Sequence, residues 1–139
     1  MTTVDLANPS VGLDRRTGRI ITGWAHVEQS LEDIFTTRFG ERLMREFYGS
    51  VAPHLLGRSM TPGEILSFFA GMSAAIEQFE PRVKVANVNI LGVERLGTMR
   101  IELDLLYRPR ATSGDFTVEG ARRRFASAID ASGRIASAA

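Results

Sequence analysis

The hydrophobic repeat switches from helical spacing to strict alternation at Pro81, and that switch limits the available folds more than any other feature. Upstream, Ile65, Phe68, Phe69, Met72, Ile76 and Phe79 fall on one face of a predicted helix. Its start is marked by Thr61-Pro62-Gly63-Glu64: a capping threonine, proline at the first helical position and a glutamate three residues after the cap. Pro81 stops it, because the residue before a proline is pushed out of the helical region. Downstream, Met99, Ile101, Leu103, Leu105 and Tyr107 alternate with Arg100, Glu102, Asp104 and Arg108. Val83 and Val85 are out of phase with Val88 and Ile90, so a β-bulge near Ala86-Asn87 is needed to keep one face buried. The two runs predict a long hairpin.

Two more helices are expected before this one. The first runs from about Trp24 to Thr37, with Val27, Leu31, Ile34 and Phe35 sharing a face with Trp24 and Thr22 as N-cap. The second runs from roughly Gly40 to Phe47, on the repeat of Phe39, Leu43 and Phe47, with Gly49 placed to end it. A short strand at Arg19 to Thr22 precedes them. Helices followed by a hairpin indicate an α+β fold: about three helices packed on one face of a small antiparallel sheet. Residues 1–18 read as an N-terminal arm, 19–110 as the main domain and 111–139 as a partly ordered C-terminal extension that orders on a partner. In that extension Phe116, Val118, Phe125 and Ile129 could form one amphipathic helix, with Arg122-Arg123-Arg124 on its exposed face.

Composition narrows the chemistry. A chain of 139 residues suits one domain with a real core. It has no cysteine, which removes disulfides, thiolate metal sites, iron–sulfur clusters and cysteine nucleophiles. With only His26 and His54, no metal or other cofactor is expected. Seventeen basic against 16 acidic side chains, a formal charge of +1, point away from nucleic acid. No run approaches the roughly 20 apolar residues of a membrane helix, so no membrane partner is expected. Met1 to Asn8 lack a secretory pattern, which predicts synthesis and initial residence in the cytoplasm.

Two segments carry a family resemblance. One is Gly12-Leu13-Asp14-Arg15-Arg16-Thr17-Gly18, leading through Trp24 into Ser30-Leu31-Glu32-Asp33-Ile34-Phe35-Thr36-Thr37, then Gly40-Glu41-Arg42-Leu43-Met44-Arg45 and Tyr48-Gly49-Ser50. The other is Glu80-Pro81-Arg82. In order and spacing these resemble the baseplate wedge family of contractile phage tails, named after the phage W protein and including the TssE subunit of type VI secretion systems. The resemblance covers about residues 12 to 110. It departs at Glu46 and Phe47, where a basic and a polar or charged residue are expected.

The resemblance implies a structural subunit of a baseplate wedge, with the wedge domain at 19–110. Its implied partners are other wedge subunits, the tail sheath protein by β-strand augmentation, and tube or hub proteins. Its implied location is the host cytoplasm during assembly and then the virion tail baseplate. It also makes Glu80, Pro81 and Arg82 an interface or a lock on the fold. An extended junction would project Glu80 and Arg82 to the same side, where they can pair or jointly meet a partner. On the residues alone, a surface ion pair worth about 0–1 kcal/mol is the simpler account. Arg42, Arg45 and Tyr48 form either a docking face or a solvated helix face. Asp14 and Arg15, with Arg16, either anchor the N-terminal arm on a neighbour or form a flexible charged loop. Trp24 is expected in or near the core.

The alternative function is a lysozyme-like tail enzyme that degrades peptidoglycan. Glycoside hydrolysis needs two carboxyls about 5–10 Å apart across a sugar cleft. Glu28 and Glu32, one helical turn apart, could meet that distance, but their helix face is charged and no aromatic-lined groove is evident. His26 and His54 have no nearby serine or carboxylate spacing of a nucleophilic site. No catalytic residues are expected.

Overall fold

The computed structural model describes residues 10–50, 61–93, 98–129 and 135–137. Helix α1 spans Gly23–Thr36 and α2 spans Pro62–Phe79. The α2 start is a complete capping box. Thr61 Oγ1 accepts from the Glu64 N–H at 3.4 Å, and the Glu64 carboxylate accepts from the Thr61 N–H at 3.1 Å. Thr22 occupies the α1 N-cap, but its side chain makes no capping bond.

Strands β1 (Val11–Leu13) and β2 (Ile20–Thr22) form a small antiparallel hairpin ahead of α1. The main sheet is antiparallel throughout, in the order β3 (Val83–Val93), β4 (Met99–Tyr107), β5 (Arg123–Ile129), β6 (Ile135–Ser137). The register of β3 on β4 shifts between Val85 and Asn87, where the phase change demands a bulge, and again between Ile90 and Gly92. The alternation in β4 buries Met99, Ile101, Leu103, Leu105 and Tyr107. These close one core with Val27, Leu31, Ile34 and Phe35 of α1 and Phe68, Met72 and Ile76 of α2. Trp24 packs on its margin, half-buried.

Two expectations are corrected. The expected helix at Gly40 to Phe47 is not formed, so the described residues hold two α-helices. Residues 38–50 instead run through tight turns, with Arg45 N–H donating to the Arg42 carbonyl and Tyr48 N–H to that of Arg45. Met44 sits at φ 63°, a left-handed conformation that breaks a right-handed helix. Phe39, Leu43 and Phe47, whose four-residue repeat predicted the helix, are all exposed, as is Met44. Gly49 does not end a helix. It lets the chain pass the Thr37 carbonyl, which a Cβ there would meet at 2.5 Å.

The C-terminal extension is also not a helix. Phe116 and Val118 are exposed ahead of β5, and Phe125 enters the core from β5 itself. The unpaired edge of β4 offers this segment seven residues of ladder, which outweighs any local preference for helix. His54, with the rest of residues 51–60, and residues 1–9, 94–97, 130–134 and 138–139 lie outside the described residues.

Candidate functional site

Where α2 ends, Pro81 forces the chain to turn, and Glu80 and Arg82 do project together. Arg82 grips Glu80 with both arms of the fork: Nε to Oε1 and Nη2 to Oε2, each at 2.6 Å. The pair is no surface bridge, because Glu80 is 2% and Arg82 6% exposed. The remaining guanidinium nitrogen, Nη1, donates to Ser10 Oγ and lies 3.1 Å from His26 Nδ1. Ser10 Oγ is itself 3.3 Å from that Nδ1. Arginine can only donate, so the Nδ1 facing it carries no proton, and the serine hydroxyl can turn its hydrogen toward the ring. This buried cluster ties the chain ahead of β1 to α1 and to the start of β3. Gly12 makes room for it, since a Cβ there would stand 2.5 Å from His26 Nε2.

A second cluster centres on Asp33, near the end of α1. Arg42 pairs with Asp33 Oδ2, and the Tyr48 hydroxyl donates to the same oxygen at 2.9 Å. The Arg42 guanidinium also lies over the Tyr48 ring, 4.1 Å from its centroid. Burial, then the hydrogen bond to Asp33, pushes the Tyr48 phenol up to about 12. Arg15 approaches from the other side, 3.9 Å from Asp33 Oδ1 and 3.6 Å from Glu32. Arg42 and Tyr48 therefore face inward onto Asp33, while Arg45 stays exposed.

Asp14 shapes the β1–β2 turn. Its carboxylate accepts from the backbone N–H groups of Arg16 at 2.7 Å and Thr17 at 3.3 Å, which lowers its pKa below the usual carboxylate value. The turn is seated on α1, with the Arg15 N–H donating to Gln29 Oε1 at 3.0 Å and Gln29 Nε2 to the Leu13 carbonyl at 2.9 Å.

The structure thus joins Glu80 with Arg82, and Arg15 with Arg42 and Tyr48, as two separate clusters. Sequence reasoning missed Ser10, His26, Asp33 and Gly12. Their partners lie 9 to 72 residues away, and no local spacing announces such contacts. His26 has Ser10 beside it in space, at a separation of 16 residues that local spacing does not announce. Among the described residues no group of histidine and carboxylate side chains could hold a metal, and no helix is long and apolar enough to cross a membrane.

Residues 22–112 match the family described as baseplate wedge protein gp25. The chain is 33% identical over 78 residues to baseplate protein W of Escherichia phage P2, covering 56% of this chain and 68% of that one. Among solved structures it resembles a chain of the postcontracted pyocin R2 baseplate, with a TM-score of 0.63 and 32% identity over 70% of this chain and 97% of that one. A Geobacter sulfurreducens protein named as a tail lysozyme shares the fold, with a TM-score of 0.54 at 20% identity, covering 77% of this chain and 95% of that one.

Proposed function

We propose a function from one premise: the chain belongs to the baseplate wedge protein gp25 family and is a structural subunit of a contractile tail baseplate. The match over 22–112 carries the reading, because it spans both helices, β3 and β4. Within the baseplate the subunit binds other wedge proteins through the turn at 38–50 and the α2–β3 junction. Arg45 and the exposed Leu43, Met44 and Phe47 supply the contact. The buried Glu80–Arg82 pair and the Asp33 cluster, with Arg15, Arg42 and Tyr48, hold that surface in shape, and Asp14 sets the hairpin turn beside it. The sheath protein adds a strand to the edge of the main sheet, where main-chain hydrogen bonds give affinity and alternate side chains give register. Contact with tube or hub proteins is a further role. Assembly takes place in the host cytoplasm, before the subunit is carried in the tail.

The subunit works without catalysis. Glu28 accepts from Trp24 Nε1 at 2.6 Å, and Glu32 faces Arg15 at 3.6 Å, so both carboxylates of the hydrolase alternative serve local structure. Co-expression with the products of the adjacent genes, followed by size-exclusion chromatography with mass determination, tests the assembly role. A stable hetero-complex, weakened by Arg45→Glu at unchanged thermal stability, is expected. A monomer that ignores its neighbours would sink the reading. Release of muropeptides from peptidoglycan by the purified chain, abolished in Glu28→Gln, would favour the enzyme instead.

A further inference from the structure

The longest regular hydrogen-bonding edge in the main sheet is covered by the chain's own C-terminal extension. β3, on one outside of the sheet, is interrupted by two register shifts. Bulges bend an edge and break its row of donors and acceptors, which makes it a poor template for another strand. β6, on the other outside, is three residues long. The far side of β4 pairs with β5 from Met99↔Ile129 to Leu105↔Arg123 without a shift. That row is the one suited to strand addition, and β5 occupies it.

β5 fits its place imperfectly. Phe125 stands opposite Leu103 and fills the core, but Ser127 stands opposite Ile101. Ser127 is 1% exposed, and its hydroxyl has no hydrogen-bond partner among the described residues. On the outer face Ala126 and Ala128 offer little to Glu102 and Arg100. Arg124 reaches Glu102 and Asp104 only at 3.9 and 3.6 Å. β5 also lies beyond the residues 22–112 that match the family.

We propose that β5 is a self-complementing strand. It holds the β4 edge in the free subunit and is exchanged during assembly for an extended segment of a neighbouring tail protein that sets a large apolar side chain opposite Ile101. This rests on the strand-augmentation reading above. The ladder hydrogen bonds are equivalent before and after exchange, so the side chains decide it. An apolar group in place of Ser127 removes an unpaired buried hydroxyl and adds apolar burial.

The absence of cysteine makes a clean test possible. Glu102→Cys with Ala126→Cys places thiols on directly opposed residues of β4 and β5. Oxidation locks the strand and reduction frees it in the same full-length polypeptide. Both forms are expected to enter wedge complexes, with the oxidised form starting sheaths about tenfold less often and recovering on reduction, as sheathed tails counted by electron microscopy. Undiminished sheath initiation from protein whose disulfide is confirmed by mass would overturn the exchange and leave augmentation at β3 standing. If the wild-type chain and the reduced variant both fail to start sheaths, the augmentation reading falls and takes the exchange with it. Ser127→Val needs no engineered bond. It should raise the thermal midpoint and slow sheath initiation, and a raised midpoint with unchanged initiation would also overturn the exchange.

Discussion

Burying a carboxylate and a guanidinium is costly, and Glu80 and Arg82 persist in the interior because each nitrogen of the guanidinium has a partner. Two bonds go to Glu80, one goes to Ser10, and the His26 nitrogen faces the same arm. Arg82→Leu leaves the Glu80 carboxylate buried without its partner and should cost about 3–5 kcal/mol in urea denaturation. Glu80→Leu combined with Arg82→Met should recover most of that loss, since Ser10 and His26 can still bond each other. If the double variant is as unstable as the single, the pair is not what holds the junction. The same comparison separates folding from docking. A double variant that folds but does not join the wedge would mark the pair as part of the interface.

Tyr48 gives a test in pH. Its folded-state value, near 12, lies above the ordinary 10, so between those limits the native state keeps a proton that the unfolded chain releases. That contribution is complete below pH 10 and is lost as pH rises toward 12. Tyr48→Phe should therefore show a shallower fall in urea midpoint across this window than the wild type, with Tyr107, also raised by burial, sustaining part of the fall. Equal slopes would refute the role of the buried hydroxyl. Of these residue-level features, the Glu80–Arg82 pairing was legible, because two positions flanking a proline in extended chain must share a side. Its burial was not, since burial depends on Ser10 and α1 arriving from far along the chain.

At the scale of elements, legibility followed how local each cause is. Thr61-Pro62-Gly63-Glu64 contains its own start signal, and α2 begins there. The alternation in β4 is long enough to define one face without help. The turns at 38–50 defeat the same reasoning. Their four-residue repeat mimics a helix, while the conformation is decided by Asp33 capturing Arg42 and Tyr48 and by the Ser50 N–H reaching the Thr37 carbonyl at 3.1 Å. β5 escapes local reasoning because its alanines favour a helix, and only the waiting edge of β4 selects a strand. Gly49 is the residue on which the turn closes, at φ 131° and in near contact with Thr37. Gly49→Ala adds both backbone strain and a clash, and should cost about 1–3 kcal/mol. Unchanged urea stability in that variant would mean that residues 38–50 can rearrange without loss.

At the scale of the whole molecule, one core joins α1, α2, β3 and β4, whereas among the described side chains β5 contributes Phe125 to it, and β6 pairs with β5. A unit attached through fewer buried apolar groups opens at lower free energy than the body it is attached to. The unpaired Ser127 hydroxyl lowers it further. Native-state hydrogen exchange should therefore divide the sheet. Amides of Arg123–Ile129 that pair with β4 should open at least about 1 kcal/mol more easily than those of Met99–Tyr107 that pair with β3. Ser127→Val should narrow the gap from the β5 side alone, because it repairs the outer strand without touching β3. Equal opening energies in the wild type would place β5 in the same cooperative unit as β4. Releasing the β4 edge would then require unfolding the subunit, and a strand donor could reach it only by competing with folding itself.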